Sequence, residues 1–422
     1  MPLALAVNAT RIVSDVSVRA ARHLEKAGAD NWSDIGQGKG RLRLIRATTA
    51  TADQALDRVR SDPSVLAVVP ASAVDGTVRT LTVGGRHPLR NPKSYPLYTA
   101  VPDPPPAVVT LTMVGDIMLA RRVGERIRAV DDPAAPMRPL AKRLAAADIK
   151  VGNFESTLSR DGSPTQGGDS FGADRRVVDG LKLAGIDLVS LANNHVGDYG
   201  DRAMRTTFER FENRGIDVVG AGRDLDEARK AVVIERHGVR IGFFGTESIG
   251  ETPAATNGRA GTNRLNMPPR TGPLNRKALR RISDDIAELD KRVDVVVVIA
   301  HWGTQYTHQP EPSQRVAARA FAAAGADLVI GGHPHWVQGW EVSASAIVVH
   351  SLGNFVFDMD FQTKTQEGVF LEIVLWGGAV KAVEPVPYRI GSDFAPRRVT
   401  GERADDILSD VWRSSRGPFR SP

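Results

Sequence analysis

From Val108 onward, short apolar runs alternate with amphipathic stretches, and nothing else in the chain constrains its fold as much. Residues 108–114, 148–153, 188–191, 217–220, 293–300 and 328–330 read as short strands, the runs at 108–114, 293–300 and 328–330 being the most apolar. Between them, 139–147, 177–184, 203–214, 279–289 and 316–324 carry apolar residues at helical spacing. This predicts an α/β domain whose strands are buried on both faces. Residues 231–234 and 240–244 read as paired strands across Arg236-His237-Gly238, and 346–350 and 369–375 as further strands. Gly377-Gly378 suggests some antiparallel pairing.

The main domain, expected over 108–395, is bounded by a linker at 101–107, where Val101-Pro102-Asp103-Pro104-Pro105-Pro106 excludes a helix or central strand. Residues 1–100 form a small α/β segment, with helices expected over 16–27 and 54–60 and a strand over 63–70. Its end, with Asp75-Gly76, Pro88 and Tyr95-Pro96-Leu97, resembles the closing part of a bacterial solute-binding domain; a plain α/β appendage fits equally well. Residues 396–422 read as a loosely held, polar, Arg-rich tail, and the Gly/Thr/Pro-rich 251–273 as a mobile flap.

Composition narrows the chemistry. The 422 residues include no cysteine, which excludes disulfides, zinc–thiolate sites and thiol nucleophiles. A net charge of +6 tolerates anionic ligands but is too dilute for nucleic acid, and the short basic runs do not interleave with aromatics. No run approaches the roughly 18 apolar residues of a membrane span. The apolar start at 1–7 is too short for a signal segment and lacks a basic flank, so the chain as written is expected in the cytoplasm; residues missing upstream would make it extracytoplasmic.

Five strands end in clusters of metal-competent side chains: Gly115-Asp116, Asn153-Phe154-Glu155, Asn193-Asn194-His195 with Asp198, His301-Trp302-Gly303, and Gly331-Gly332-His333-Pro334-His335. Each cluster alone has an ordinary reading: Asp116 as a cap, Glu155 as a surface carboxylate, Asn193 and Asn194 as turn residues, His301 as a packed core imidazole. Together they are harder to dismiss, because strand carboxyl ends in α/β sheets converge on one crevice. The oxygen and nitrogen donors suit one or two divalent ions of Mn, Fe or Zn. In an extended segment His333 and His335 would project to one side, with Gly331-Gly332 letting the backbone approach the ion. His23, His87 and His237 read as structural or solvated, His308 as lining the crevice or surface, and His350 as core or supporting.

Those clusters, with Ile117-Met118-Leu119, Ser190-Leu191-Ala192, Tyr199-Gly200 and Ser351-Leu352-Gly353-Asn354-Phe355, resemble the CapA family of bacterial poly-γ-glutamate capsule synthesis, itself similar to calcineurin-like metallophosphoesterases. The resemblance covers 108–389. It implies a four-layer α/β/β/α sandwich with a metal site at the strand ends, on which metal-activated water attacks a phosphoester. It further implies that Asp116 holds one ion, that Glu155 bridges, that Asn194 and His301 hold the second, and that His333 and His335 complete the set. His195 would assist the leaving group, with Asp198 orienting it. Asn153, Asn193, Trp302 and Asn354 are the substrate-binding candidates. One departure stands out: Met118 occupies the place of a ligand histidine in the phosphoesterase pattern. This leaves an alternative open, a non-catalytic accessory protein that binds the anionic polymer or a membrane-bound polymer synthase.

Overall fold

The computed structural model describes residues 1–12, 15–98 and 106–421. Residues 101–105, which carry most of the expected linker, lie outside the described residues.

Two sheets build the main body. The first joins, in order, Pro396–Arg398, Ala379–Ile390, Glu367–Trp376, Val108–Ile117, Ile149–Phe154, Leu188–Ser190 and Asp217–Val219, with Asn354–Val356 alongside the end of Val108–Ile117. Its members from Val108–Ile117 to Asp217–Val219 run parallel. The second joins Val232–Arg236, Val239–Glu247, Val295–His301, Leu328–Gly332, Ala346–Val349 and Trp340–Ser343, parallel in the middle and antiparallel at both edges.

The sheets face each other through Leu111, Met113, Val151 and Leu188 on one side and Ile241, Phe243, Val297 and Ile330 on the other. Helices Arg121–Val130, Val177–Leu183 and Gly200–Arg214 cover the outer face of the first sheet through Val123, Ile127, Leu181 and Phe211. Helices Arg276–Asp290 and Pro312–Ala323 cover the second through Ile282, Ile286, Leu289 and Phe321. The result is the expected four-layer α/β/β/α sandwich. Central strands such as Val295–His301 are apolar because both sides meet packed neighbours: every residue of that strand is buried. Among the described residues no helix is long and apolar enough to cross a membrane.

The N-terminal segment is a four-stranded sheet, ordered Arg43–Arg46, Val65–Pro70, Leu3–Asn8, Val78–Thr80, with helices Val18–Lys26 and Ala52–Ser61. The apolar run at 3–8 forms its strand Leu3–Asn8, paired on both sides. The segment packs on the outer face of the first sheet at Val374, Trp376 and Ala382, and the Trp376 Nε1–H donates to Leu89 O at 2.7 Å.

Two expectations are corrected. The polar tail contains helix Glu402–Ser414, whose Ile407, Leu408, Val411 and Trp412 join the core between the sheets. Charged residues interleaved in the sequence mask that stripe, yet each such burial is worth about 1.5–3 kcal/mol. The 251–273 stretch is packed rather than loose. Gly261–Thr262 pairs with Ala221–Gly222, and Leu265 and Met267 enter the helix-side core. Buried Glu247 ties the loop down through Gly250 N, Thr262 Oγ1 and an ion pair with Arg264.

Candidate metal centre

Strand register assembles the centre. Asp116 lies beside Asn153 on one neighbour and Asn354 on the other, and Asn153 lies beside Ser190. In the second sheet Glu247, His301 and Gly332 align. The residues that follow, including Glu155, Asn194, His195, His333 and His335, are therefore delivered to the same end of the sandwich. Gly332 permits the closest approach, since a Cβ there would sit 2.5 Å from Asp116 Oδ1. The chain then turns: His333 and His335 have φ of 93° and 59°. They are not alternate residues of an extended segment, as expected, but two left-handed positions with rings 5.8 Å apart. Such backbone conformations cost on the order of 1–3 kcal/mol each and concentrate at functional sites.

Two buried groups can each hold an ion: Asp116, Glu155 and His301, and Glu155, His333 and His335, with ligand atoms within 4.8 Å of one another in each. Glu155 belongs to both, and His301 falls with Asp116, whereas the family resemblance implies that the two hold different ions. Among the described residues neither Glu155 oxygen has a hydrogen-bond partner, nor does either nitrogen of His333. Buried polar atoms left in this way carry a desolvation cost of about 1–3 kcal/mol each, which a cation would offset. Burial, then repulsion from Asp116 and Asp198, pushes Glu155 well above the usual carboxylate range. Burial likewise lifts Asp116 to about 6, against hydrogen bonds from Asn153 Nδ2 (2.8 Å) and His333 N (3.1 Å). Burial drives His301 and His333 well below the usual imidazole range and His335 down to about 4, so all three are neutral and able to ligate. The donor set fits a divalent ion.

His195 stands beside these groups, with Nε2 3.9 Å from Glu155 Oε1. Its Nδ1 lies 2.8 Å from Asp198 Oδ2, and that carboxylate also accepts from Phe171 N (2.6 Å) and Gln166 Nε2 (2.5 Å). An acceptor so placed sets the tautomer, leaving Nε2 to face the centre. The Phe171 ring stacks on the imidazole at 3.7 Å and 18°. Gln166 and Phe171 carry no signal in the sequence; both come from the irregular loop after Ile149–Phe154.

The remaining candidates brace the centre or turn from it. Asn194, expected to hold the second ion with His301, has its Oδ1 2.9 Å from His301 Nε2. Asn153 joins Asp116 to His301, Asn193 bonds Asn153, the Phe154 carbonyl and the His195 amide, and Asn354 Oδ1 fixes His335 Nδ1 at 2.8 Å. Their side chains are spent on protein groups rather than presented to a substrate. Trp302 points the other way, into the helix-side core, with its Nε1–H on His350 O at 3.1 Å. Met118 is buried among the helices on the first sheet and offers nothing to the centre. His350 is core, paired with Glu341 at 3.2 Å, and His308 bonds Val337 O at 2.7 Å.

A cleft of about 760 Å³ lies away from the centre, between the N-terminal segment and the first sheet. Most of its charges are matched among themselves: Arg79 with Glu384 at 2.9 Å, and Arg90 and Arg143 with Glu372 at 2.7 and 2.6 Å. That chemistry is of a seam rather than a reaction site.

Residues 110–359 match the family described as bacterial capsule synthesis protein PGA_cap. The capsule biosynthesis protein CapA of Bacillus anthracis is 33% identical over 297 residues, 69% of this chain and 70% of that protein. The PGA biosynthesis protein CapA of Bacillus subtilis is 31% identical over 313 residues, covering 73% and 79%. Among solved structures, a phosphatase of Mycoplasma pneumoniae aligns over 67% of this chain and 94% of its own at 12% identity and TM-score 0.42. With the matched segment spanning all five strand-end clusters, the chain belongs to the PGA_cap family of bacterial capsule synthesis proteins.

Proposed function

We propose that this chain is a metal-dependent hydrolase that cleaves a phosphoester in the synthesis of a poly-γ-glutamate surface polymer. The observation that carries the reading is Glu155, buried with both oxygens unpartnered between two sets of ligands. Asp116, Glu155 and His301, and Glu155, His333 and His335, would hold one or two ions of Mn, Fe or Zn, with Asn194 beside them. Bound there, such ions supply Lewis acidity and neutralise charge developing on the reacting group.

The chain's own residues do the rest. Asp198 holds the Nδ1–H of His195, Phe171 fixes the ring plane, and Nε2 delivers a proton to the leaving oxygen. Positioned acid catalysis of this kind is worth about 10²–10⁴ in rate. Asn153 and Asn354 hold Asp116, His301 and His335 in place, as outer-shell partners do. The named functions of the Bacillus relatives support a place in polymer synthesis, and the partners proposed with it are the anionic polymer and a membrane-bound polymer synthase.

Met118 favours a second reading. It stands at the sequence position of a ligand histidine in the phosphoesterase pattern, and its thioether is buried in the core on the helix side of the first sheet, which suits an accessory protein that binds polymer or synthase without turnover. Elemental analysis of the purified protein and of Asp116→Ala, paired with phosphoester hydrolysis before and after chelation, separates the two. Metal bound by the wild type, lost in the variant and required for hydrolysis supports the enzyme; metal without hydrolysis supports the accessory role.

A further inference from the structure

One arginine borders the metal centre without entering its ligand set. Arg121 opens helix Arg121–Val130 four residues after strand Val108–Ile117, with φ of 46°, a left-handed conformation that an arginine adopts only under constraint. Its side chain is held on several sides. Nε donates to Asp358 Oδ2 at 3.2 Å and Nη2 donates to Asp358 Oδ1, a two-point clamp on a buried carboxylate. The guanidinium lies 4.5 Å over the Phe171 ring, the same ring that stacks on His195. Nη1 keeps only Asp169, at 3.4 Å, whose side chain is 81% exposed.

A guanidinium pinned at two nitrogens and held at the third by an exposed carboxylate alone is preorganised to receive one more oxyanion. The charge also reaches the centre: it bears on Glu155, His335 and Tyr306. Nothing in the metal ligands themselves requires such a residue. Beyond them sits an aromatic lip, with Tyr306 at φ 60° and exposed Phe361 edge-on to it at 5.7 Å.

We propose that Arg121 is a specificity residue that binds, through Nη1, a further oxyanion on the substrate, a carboxylate or phosphate other than the group being cleaved. The inference rests on the hydrolase reading above for the identity of the reacting group, but its test does not depend on turnover. The substrate class it selects is a phosphoester carrying a second negative group close to the first. Displacement of the exposed Asp169 by the incoming oxyanion leaves the Asp358 clamp and the Phe171 stack in place.

The test is binding of three probes to the Mn²⁺-loaded full chain by calorimetry: phenylphosphonate, 4-carboxyphenylphosphonate and 1,4-phenylenediphosphonate. Wild type is expected to favour at least one doubly anionic probe over phenylphosphonate by about tenfold, the increment of one charge-assisted hydrogen bond. Which of the two it favours tells carboxylate from phosphate. In Arg121→Gln that ratio collapses toward one; in Arg121→Lys, which keeps the charge and tolerates the site sterically, part of it survives. Equal affinities in wild type, no binding of any probe, or an undiminished ratio in both variants overturns the assignment. Hydrolysis of phenyl phosphate, run alongside, reads the proposed enzyme activity separately: its absence with an Arg121-dependent ratio refutes turnover and leaves the oxyanion site standing.

Discussion

Glu155→Gln separates a metal centre from a merely polar core. In the metal-free protein the buried carboxyl is held neutral, so the near-isosteric amide exchanges one unpartnered polar group for another. The stability change on that side is small, about 1 kcal/mol or less. Its sign depends on pH. The folded-state value of Glu155 lies above the unfolded one, so its contribution is full at low pH and is lost as pH rises through the folded value. The metal-free variant therefore equals or exceeds wild type at alkaline pH. Metal reverses the order. At a hundred times its dissociation constant, an ion stabilises the wild type by about 2.7 kcal/mol. With roughly 2.1 cal/mol/K of unfolding entropy per residue, 422 residues give about 0.9 kcal/mol/K, so Tm rises by about 3 °C. Glu155 serves both ligand groups, and its loss leaves two ligating residues in each. If affinity falls a hundredfold, the same metal concentration yields only about 0.4 kcal/mol, under 1 °C. Calorimetric melting of chelated protein with and without Mn²⁺, Fe²⁺ or Zn²⁺ measures both quantities. A variant that keeps the wild-type rise, or a wild type with none for any of the three, refutes the reasoning.

Other perturbations test separate parts of the centre. His195→Gln is expected to lower kcat about 10²–10⁴-fold with metal content unchanged; a loss under tenfold removes His195 as the proton donor. Gly332→Ala drives a Cβ to 2.5 Å from Asp116 Oδ1 and is expected to weaken metal binding at least tenfold by calorimetry, whereas wild-type affinity would show that the close approach is dispensable. Asp116, raised to about 6, contributes stability to the metal-free protein that is lost as pH climbs from its unfolded value through about 6, while metal affinity rises over the same window as the proton leaves. Affinity independent of pH between 5 and 7 contradicts that competition. Deletion of residues 400–422 strips Ile407, Leu408, Val411 and Trp412 from the core, at about 1.5–3 kcal/mol each. The total rivals the stability of a whole domain, so a soluble, cooperatively melting truncation would show that the helix is dispensable.

What could be read from the chain, and what could not, divides along one physical line. Strands and helices of the sandwich announce themselves through period, and residues at strand ends converge by topology alone, so Asp116, Glu155, His301, His333 and His335 were legible as a set. Short-range masking hid the helix Glu402–Ser414, whose apolar stripe is diluted by charges, and the first strand, Leu3–Asn8, whose partner lies some sixty residues away. Gln166 and Phe171 reach the centre from an irregular loop, where no period exists to fix a direction, and Arg121 from the left-handed first residue of a helix. Trp302 is different, because its misplacement was avoidable. Successive side chains along a strand point to opposite faces, and Val295–His301 is a strand covered on both. Once His301 faces the ligands, the next residue must face the helices, where the indole packs near Phe321. The same alternation bears on the family motif itself. The His301–Trp302 pair at that strand end is one candidate ligand and one indole wedged against the helix layer. Trimming Trp302 should therefore shift His301 and loosen the metal without touching a ligand, which no list of coordinating residues would anticipate.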